Sequence, residues 1–185
     1  MTKGKNSINI RALTFLGVLT AIVVVLQLIG NYVAIPIAGA VVSISLSLIP
    51  IVIASTMRGP FAGGWLGFVS AMVILLFNGA TFFLGLNPLG TIVTVIIKGT
   101  ASGIAAGFTY KLLYRINKYL AVFVSAAVCP IVNTGLFFIG GMIFFSDIIW
   151  VVAAGALINF TFEIIVNLIF SPTIVRLIDY IEKKH

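Results

Sequence analysis

Apolar side chains fill this chain in six long runs, and polar residues, glycines or prolines interrupt them. The runs cover residues 9–29, 43–57, 61–77, 89–114, 119–145 and 149–180. A helix needs about 20 apolar residues to cross a bilayer, so the pattern predicts six membrane-spanning helices. The stretch RGP at 58–60 predicts a sharp turn, with Pro60 opening the next helix. NPLG at 87–90 does the same for the fourth run. The last three runs are longer than a ~30 Å hydrocarbon core requires and are expected to tilt or protrude. Residues 30–42, GNYVAIPIAGAVV, are apolar and β-branched but broken by Gly30, Pro36 and Gly39, which predicts a short extended or hairpin segment packed as a lid. Residues 78–88, NGATFFLGLNP, predict a second lid. Apolar loops left in water are unfavourable, so both are expected to fold down onto the bundle.

Composition strengthens the reading. The chain is 61% hydrophobic and 8% charged, where soluble domains average about 45–50% and about 25%. The expected fold is an all-α integral membrane protein, with residues 1–185 forming a single six-helix domain. The first run is span-length and lacks a small-residue cleavage site, so it reads as a true span and not a leader. The net charge of +7 does not imply nucleic acid, because the basic residues sit at the ends of the runs and do not interleave with aromatics. Lys3, Lys5 and Arg11 precede or open the first span, and Arg58 lies between the second and third. Lys111, Arg115 and Lys118 lie between the fourth and fifth, and Arg176, Lys183 and Lys184 close the chain. With six spans all of these fall on one side, and the opposite loops carry only Asp147. The positive-inside rule then places both termini in the cytoplasm.

The remaining cation is Lys98, inside TVIIKGTASG at 94–103. A cation within a span is costly and is kept for a partner, a ligand or a water path. At a rise of about 1.5 Å per residue, Lys98 lies about 14 Å along the fourth span from its outer end. The fifth span carries CPIVNTG at 129–135, which puts Asn133 and Thr134 near the middle. The sixth carries NFTFEIIVN at 159–167, where Asn159, Glu163 and Asn167 share one helix face. Two readings follow. Lys98 and Glu163 form a buried ion pair with amides as interhelical glue, or these groups line an outward-facing pocket for a small polar anion. Thr94 and Phe137 join the candidate pocket residues Lys98, Asn133, Thr134, Asn159 and Glu163 by their depth. Cys129, in an apolar run, is expected to be a small packing residue. No catalytic, Walker or metal-ligand spacing is present, so no catalytic residue, cofactor or metal is expected. Gly17 and Ala21 in GVLTA form a small-xxx-small pair, suited to packing inside the chain or to docking another subunit. GTASGIAAG at 99–107 suits internal packing.

Together these features resemble the substrate-binding S component of an energy-coupling factor (ECF) vitamin transporter. The resemblance is carried by the length, the GVLTA of the first span, the apolar first external loop, LIPIVIASTMRGPFAGGWLGFVSAMV at 48–73 and the NTG of the fifth span. It covers nearly the whole chain. It implies that the protein captures a small vitamin from outside, in a pocket built by spans four to six and capped by the loops. It also implies docking, through Gly17 and Ala21, onto a membrane coupling subunit that carries two ATPases, in a prokaryotic plasma membrane. The family usually has an alanine pair in the first span, and Gly17 departs from it while staying small. CPIVNTGLFFIGGMIFF at 129–145 is similar to pantothenate-type members. One cation with amides and hydroxyls suits pantothenate, while riboflavin, biotin and nicotinate stay open as ligands. A stand-alone secondary transporter and a noncatalytic scaffold are the rival classes.

Overall fold

A computed structural model describes residues 10–32, 34–37, 40–43, 46–77 and 80–182. Lys3, Lys5, Gly39, Lys183 and Lys184, which entered the expectations above, lie outside the described residues. The elements in chain order are α1 (Ile10–Tyr32), β1 (Ala34–Ile37), β2 (Ala40–Ser43), α2 (Leu48–Arg58), α3 (Pro60–Leu76), α4 (Thr81–Leu86), α5 (Pro88–Leu113), α6 (Lys118–Phe144) and α7 (Ser146–Glu182). Helices occupy all six predicted runs. Four of them, α1, α5, α6 and α7, are long and apolar enough to cross a membrane, while α2 and α3 are shorter. The second helix starts five residues later than the apolar pattern suggested, at Leu48, because Ala40–Ser43 is drawn into a strand. That strand pairs antiparallel with β1, from Ala34↔Ser43 to Ile37↔Ala40, so the first predicted lid is a hairpin, and β2 lies against α7.

Local signals set the helix ends. Gly59 is the sole residue between α2 and α3, with φ at 93°, a left-handed conformation that glycine adopts without Cβ strain. Pro60 follows at the first turn, where its missing N–H goes unneeded. Asn87 caps α5 by accepting from the Gly90 N–H at 3.0 Å, with Pro88 inside the first turn. Asn117 caps α6, accepting from the Tyr119 and Leu120 N–H groups at 2.8 and 3.2 Å.

The long helices alternate in direction along the chain. Gln27 and Phe15 of α1 meet Ser47 and Arg58 around α2. Gly67 and Gly63 of α3 meet Gly99 and Gly103 of α5. Thr94 of α5 meets Gly140 of α6, and Lys118 at the start of α6 is ion-paired with Asp179 near the end of α7. Lipid tails are as apolar as leucine, so no hydrophobic force drives helices together within a bilayer, and close packing must do it. The α3–α5 seam supplies that packing. A Cβ on Gly67 would come within 2.0 Å of the Gly99 carbonyl oxygen, and one on Gly103 within 2.1 Å of that of Gly63. Ser55 of α2 donates to the Gly103 carbonyl at 2.8 Å and ties a third helix to the seam. Residues 99–107 therefore serve internal packing, as their composition suggested.

The apolar core gathers toward the end of the bundle opposite the hairpin. It is built from Val23, Ile51, Val52, Leu66, Ala106, Val122, Ala126, Cys129 and Ile174. Cys129 is fully buried among them. Large side chains such as Val18, Val25, Trp65, Ile97, Ile143 and Trp150 point outward, as a lipid-facing surface requires.

Gly103→Ala is expected to lower the thermal unfolding temperature of the detergent-purified chain, by overpacking that costs about 1–3 kcal/mol. Gly17→Ala should leave it unchanged, because a Cβ there meets open space. Equal melting curves for the two variants would refute the glycine seam.

Candidate functional site

At the hairpin end of the bundle, polar side chains from five elements converge on one cavity. α5 contributes Lys98 and Gly99, α6 Asn133, α1 Gln27, and α3 Ser70, while Ser47 stands at the start of α2. Leu48, Ile51, Ala71, Ile74 and Val95 complete the wall. Gln27, Ser47 and Ser70 are themselves buried and are hydrogen-bonded to one another. The Ser47 and Ser70 hydroxyls donate to Gln27 Oε1 at 2.7 and 2.8 Å, and the two serine oxygens are 3.3 Å apart.

A second cavity lies on the other side of Val95 and is apolar. Phe83, Thr91, Thr94, Phe137, Gly141 and Phe145 line it with Val95. Phe83 belongs to α4, within the second predicted lid, and its ring meets Phe137 and Phe145 edge-on with centroids 5.7 and 5.2 Å apart. This lid is thus folded onto the bundle by aromatic contacts. Lys98 joins the two cavities: it lines the first, and its ammonium sits 5.2 Å from the centroid of the Phe137 ring, which lines the second. That distance is within cation–π range, and the ring face offers negative potential to a charge with little water around it. The Glu163 carboxylate also acts on Lys98 electrostatically.

α7 presents a polar stripe toward the bundle. Glu163 and Asn167 are buried, and Ser171, one turn further, is fully buried and extends the stripe that the sequence predicted. The Asn167 amide donates to the Glu163 carbonyl at 2.8 Å, and Ser171 to the Asn167 carbonyl at 2.9 Å. Thr94 Oγ1, Asn159 Oδ1 and Asn167 Oδ1 are buried without a hydrogen-bond partner. Buried polar atoms are nearly always hydrogen-bonded, so these are the places where an incoming polar molecule would be rewarded.

The structure therefore brings Lys98 and Asn133 together in one cavity and Thr94 and Phe137 together in the adjoining one. Asn159 and Glu163 lie on the facing helix, and Thr134 is half-buried; none of the three lines either cavity. Gly17 and Ala21 are exposed on the outer side of α1, and Gly17 has open space where a Cβ would stand. Among the described residues nothing stands close enough to Gly17 to require a small side chain there. The sequence reading missed Gln27, Ser47, Ser70, Phe83, Thr91 and Phe145. Gln27 could have been found, being the sole amide between residues 12 and 30. Each cavity holds about 20 Å³, roughly one water molecule. A nutrient-sized molecule needs several hundred Å³, so its entry requires the walls to part. Among the described residues no three of His, Cys, Asp and Glu come together to hold a metal ion. The chemistry on offer is recognition: an ammonium, amides and hydroxyls beside an aromatic wall.

The family model described as "ECF transporter, substrate-specific component" matches residues 11–175. No curated protein and no solved structure matches the chain.

A double-mutant cycle on Phe83→Ala and Phe145→Ala should return a coupling of about 0.5–1.5 kcal/mol in unfolding free energy, the range for edge-on aromatic pairs. Strict additivity would mean that the Phe83 and Phe145 rings do not meet.

Proposed function

This chain belongs to the substrate-specific components of ECF transporters, and from that premise we propose that it captures a small anionic vitamin, pantothenate by preference, for ATP-driven uptake. The observation that carries the reading is Lys98 and Asn133 lining one polar cavity at the hairpin end, whose wall Leu48 and Ile51 of the apolar core complete. A carboxylate reaching Lys98 would exchange water for an ammonium in low dielectric, where charge-assisted hydrogen bonds are strong. Asn133, Thr94 and Asn159 are placed to take hydroxyls and an amide, with Thr134 and Glu163 behind them. Glu163 acts as the charge that keeps Lys98 oriented, and Phe137 as the ring it rests on.

In this reading the chain is one domain, crosses the membrane six times and keeps both termini in the cytoplasm. The antiparallel pairing of successive helices and the gathering of cations at one end support that topology. The membrane is the prokaryotic plasma membrane. No catalytic residue is assigned, and ATP is hydrolysed on partner subunits. The outward-facing Gly17 and Ala21 are the surface for a membrane coupling subunit that carries two ATPases, since two small residues one turn apart let helix backbones approach closely.

The second cavity favours a second reading. Phe83, Phe137 and Phe145 surround it, which suits a flat aromatic ring, so nicotinate, a ring bearing a carboxylate, is the next ligand to test.

Lys98→Ala is expected to weaken pantothenate binding by at least a hundredfold while changing the unfolding temperature little, as measured by calorimetric titration and melting in detergent. Intact affinity in that variant would make Lys98 structural. Gly17→Leu should leave binding to the isolated chain unchanged and stop uptake in cells that contain the coupling subunit and ATPases. Loss of binding together with uptake would return Gly17 to a role inside the chain.

A further inference from the structure

We infer that the substrate site reaches across the bundle to α1, α2 and α3, where Gln27, Ser47 and Ser70 form a second wall that reads a hydrogen-bond donor on the ligand. The inference rests on the proposed site at Lys98 and deepens it. Each serine has one hydroxyl hydrogen, and the shortest acceptor for both is Gln27 Oε1, at 2.7 and 2.8 Å against 3.3 Å between the serine oxygens. A side-chain carbonyl can only accept, so it fixes the direction of both hydroxyls. The lone pairs of Ser47 Oγ and Ser70 Oγ remain to accept a further bond. Both serines line the same cavity as Lys98 and Asn133. Lys98 can only donate, and Asn133 can do so through its amide nitrogen.

The cavity is therefore polarised. Its α5–α6 side carries the ammonium, which can only donate, and on its α1–α3 side the two serine oxygens can accept. A bare carboxylate satisfies the first side and leaves the serine oxygens facing a like-signed group. A ligand whose anionic end is accompanied by a hydroxyl or an amide N–H satisfies both. The donor would sit against Ser47 and Ser70, both buried, where a missing partner is expensive because water does not replace it. This makes the serine pair a specificity determinant: it discriminates among carboxylates by the donor they carry and adds nothing to the attraction for charge.

The test uses the full chain in detergent with two probes, pantothenate and the pantothenate analogue in which both hydroxyls are replaced by hydrogen. Affinities are read by calorimetry for the unmodified chain, Ser70→Ala, Ser47→Ala and Lys98→Ala. The unmodified chain should prefer pantothenate over the analogue by roughly three- to tenfold or more, the range for loss of a neutral hydrogen bond. Ser70→Ala or Ser47→Ala should bring that ratio toward one, mainly by weakening pantothenate. Having two serine variants guards against one that fails to fold. A purely structural link between helices would lower both affinities alike and leave the ratio unchanged, and that result overturns the inference. If Lys98→Ala abolishes binding while the ratio survives both serine variants, the site at Lys98 stands and the second wall falls. If pantothenate does not bind the unmodified chain, the pantothenate reading and the second wall fall together.

Discussion

The backbone-to-backbone contact of α3 with α5 is the constraint from which the rest follows. Gly67 lies so close to Gly99, and Gly63 to Gly103, that no side chain fits between them. Gly99 immediately follows Lys98, so the seam that holds the two helices together also sets where the ammonium stands. It brings Ser70 and Ala71 of α3 to the same cavity wall. In a bilayer this type of contact is the available source of helix affinity, since burying apolar surface against another helix gains nothing over burying it in lipid. A bundle held in this way can carry a charge and several amides near its middle, because its stability does not depend on a continuous apolar interior at that depth.

The division of the molecule into two ends follows. At one end, small and branched apolar residues such as Val52, Leu66, Ala106 and Val122 pack together, with short hydroxyls such as Ser55 and Ser102 bonded to backbone carbonyls among them. At the other, α1, α2, α3, α5 and α6 each turn a polar group inward, at Gln27, Ser47, Ser70, Lys98 and Asn133. The hairpin and α4 are the elements with least secondary structure to hold them. α4 has six residues, none of them buried, and is attached largely through the Phe83 ring. So short an element can shift without disturbing the glycine seam.

Much of this was legible in the sequence wherever a residue acts through local chemistry. Gly59 and Pro60 announced the elbow between α2 and α3, and Asn87 and Pro88 the start of α5. The unfavourable placement of Lys98 in an apolar run announced that it needs company, which the Phe137 ring supplies, and the spacing of Asn159, Glu163 and Asn167 announced an inward face, to which the structure adds Ser171. The contacts that depend on which helices become neighbours were not legible. Ser47 and Ser70 are common residues in unremarkable positions, and only the fold brings them to Gln27. Phe83 and Phe145 are two among 15 phenylalanines, and no periodicity distinguishes those that meet Phe137 from those that face lipid. The late start of α2 was hidden for a related reason: β-branched residues in 40–43 satisfy a strand and an apolar helix equally well until the hairpin partner is known.

α7 carries a last implication. Its 37 residues make a rod roughly 55 Å long, against a hydrocarbon thickness of about 30 Å. Tilt takes up part of the excess, and the rest must emerge into the aqueous phase. The last turns hold Arg176 and Asp179, and Asp179 reaches the first residue of α6 through Lys118. The two longest helices are therefore buttoned together outside the oily layer, by a bond that dissolved electrolyte can weaken. Dissolved salt loosens this one fastening, while the packing of α6 against α7 along their length is left as it is.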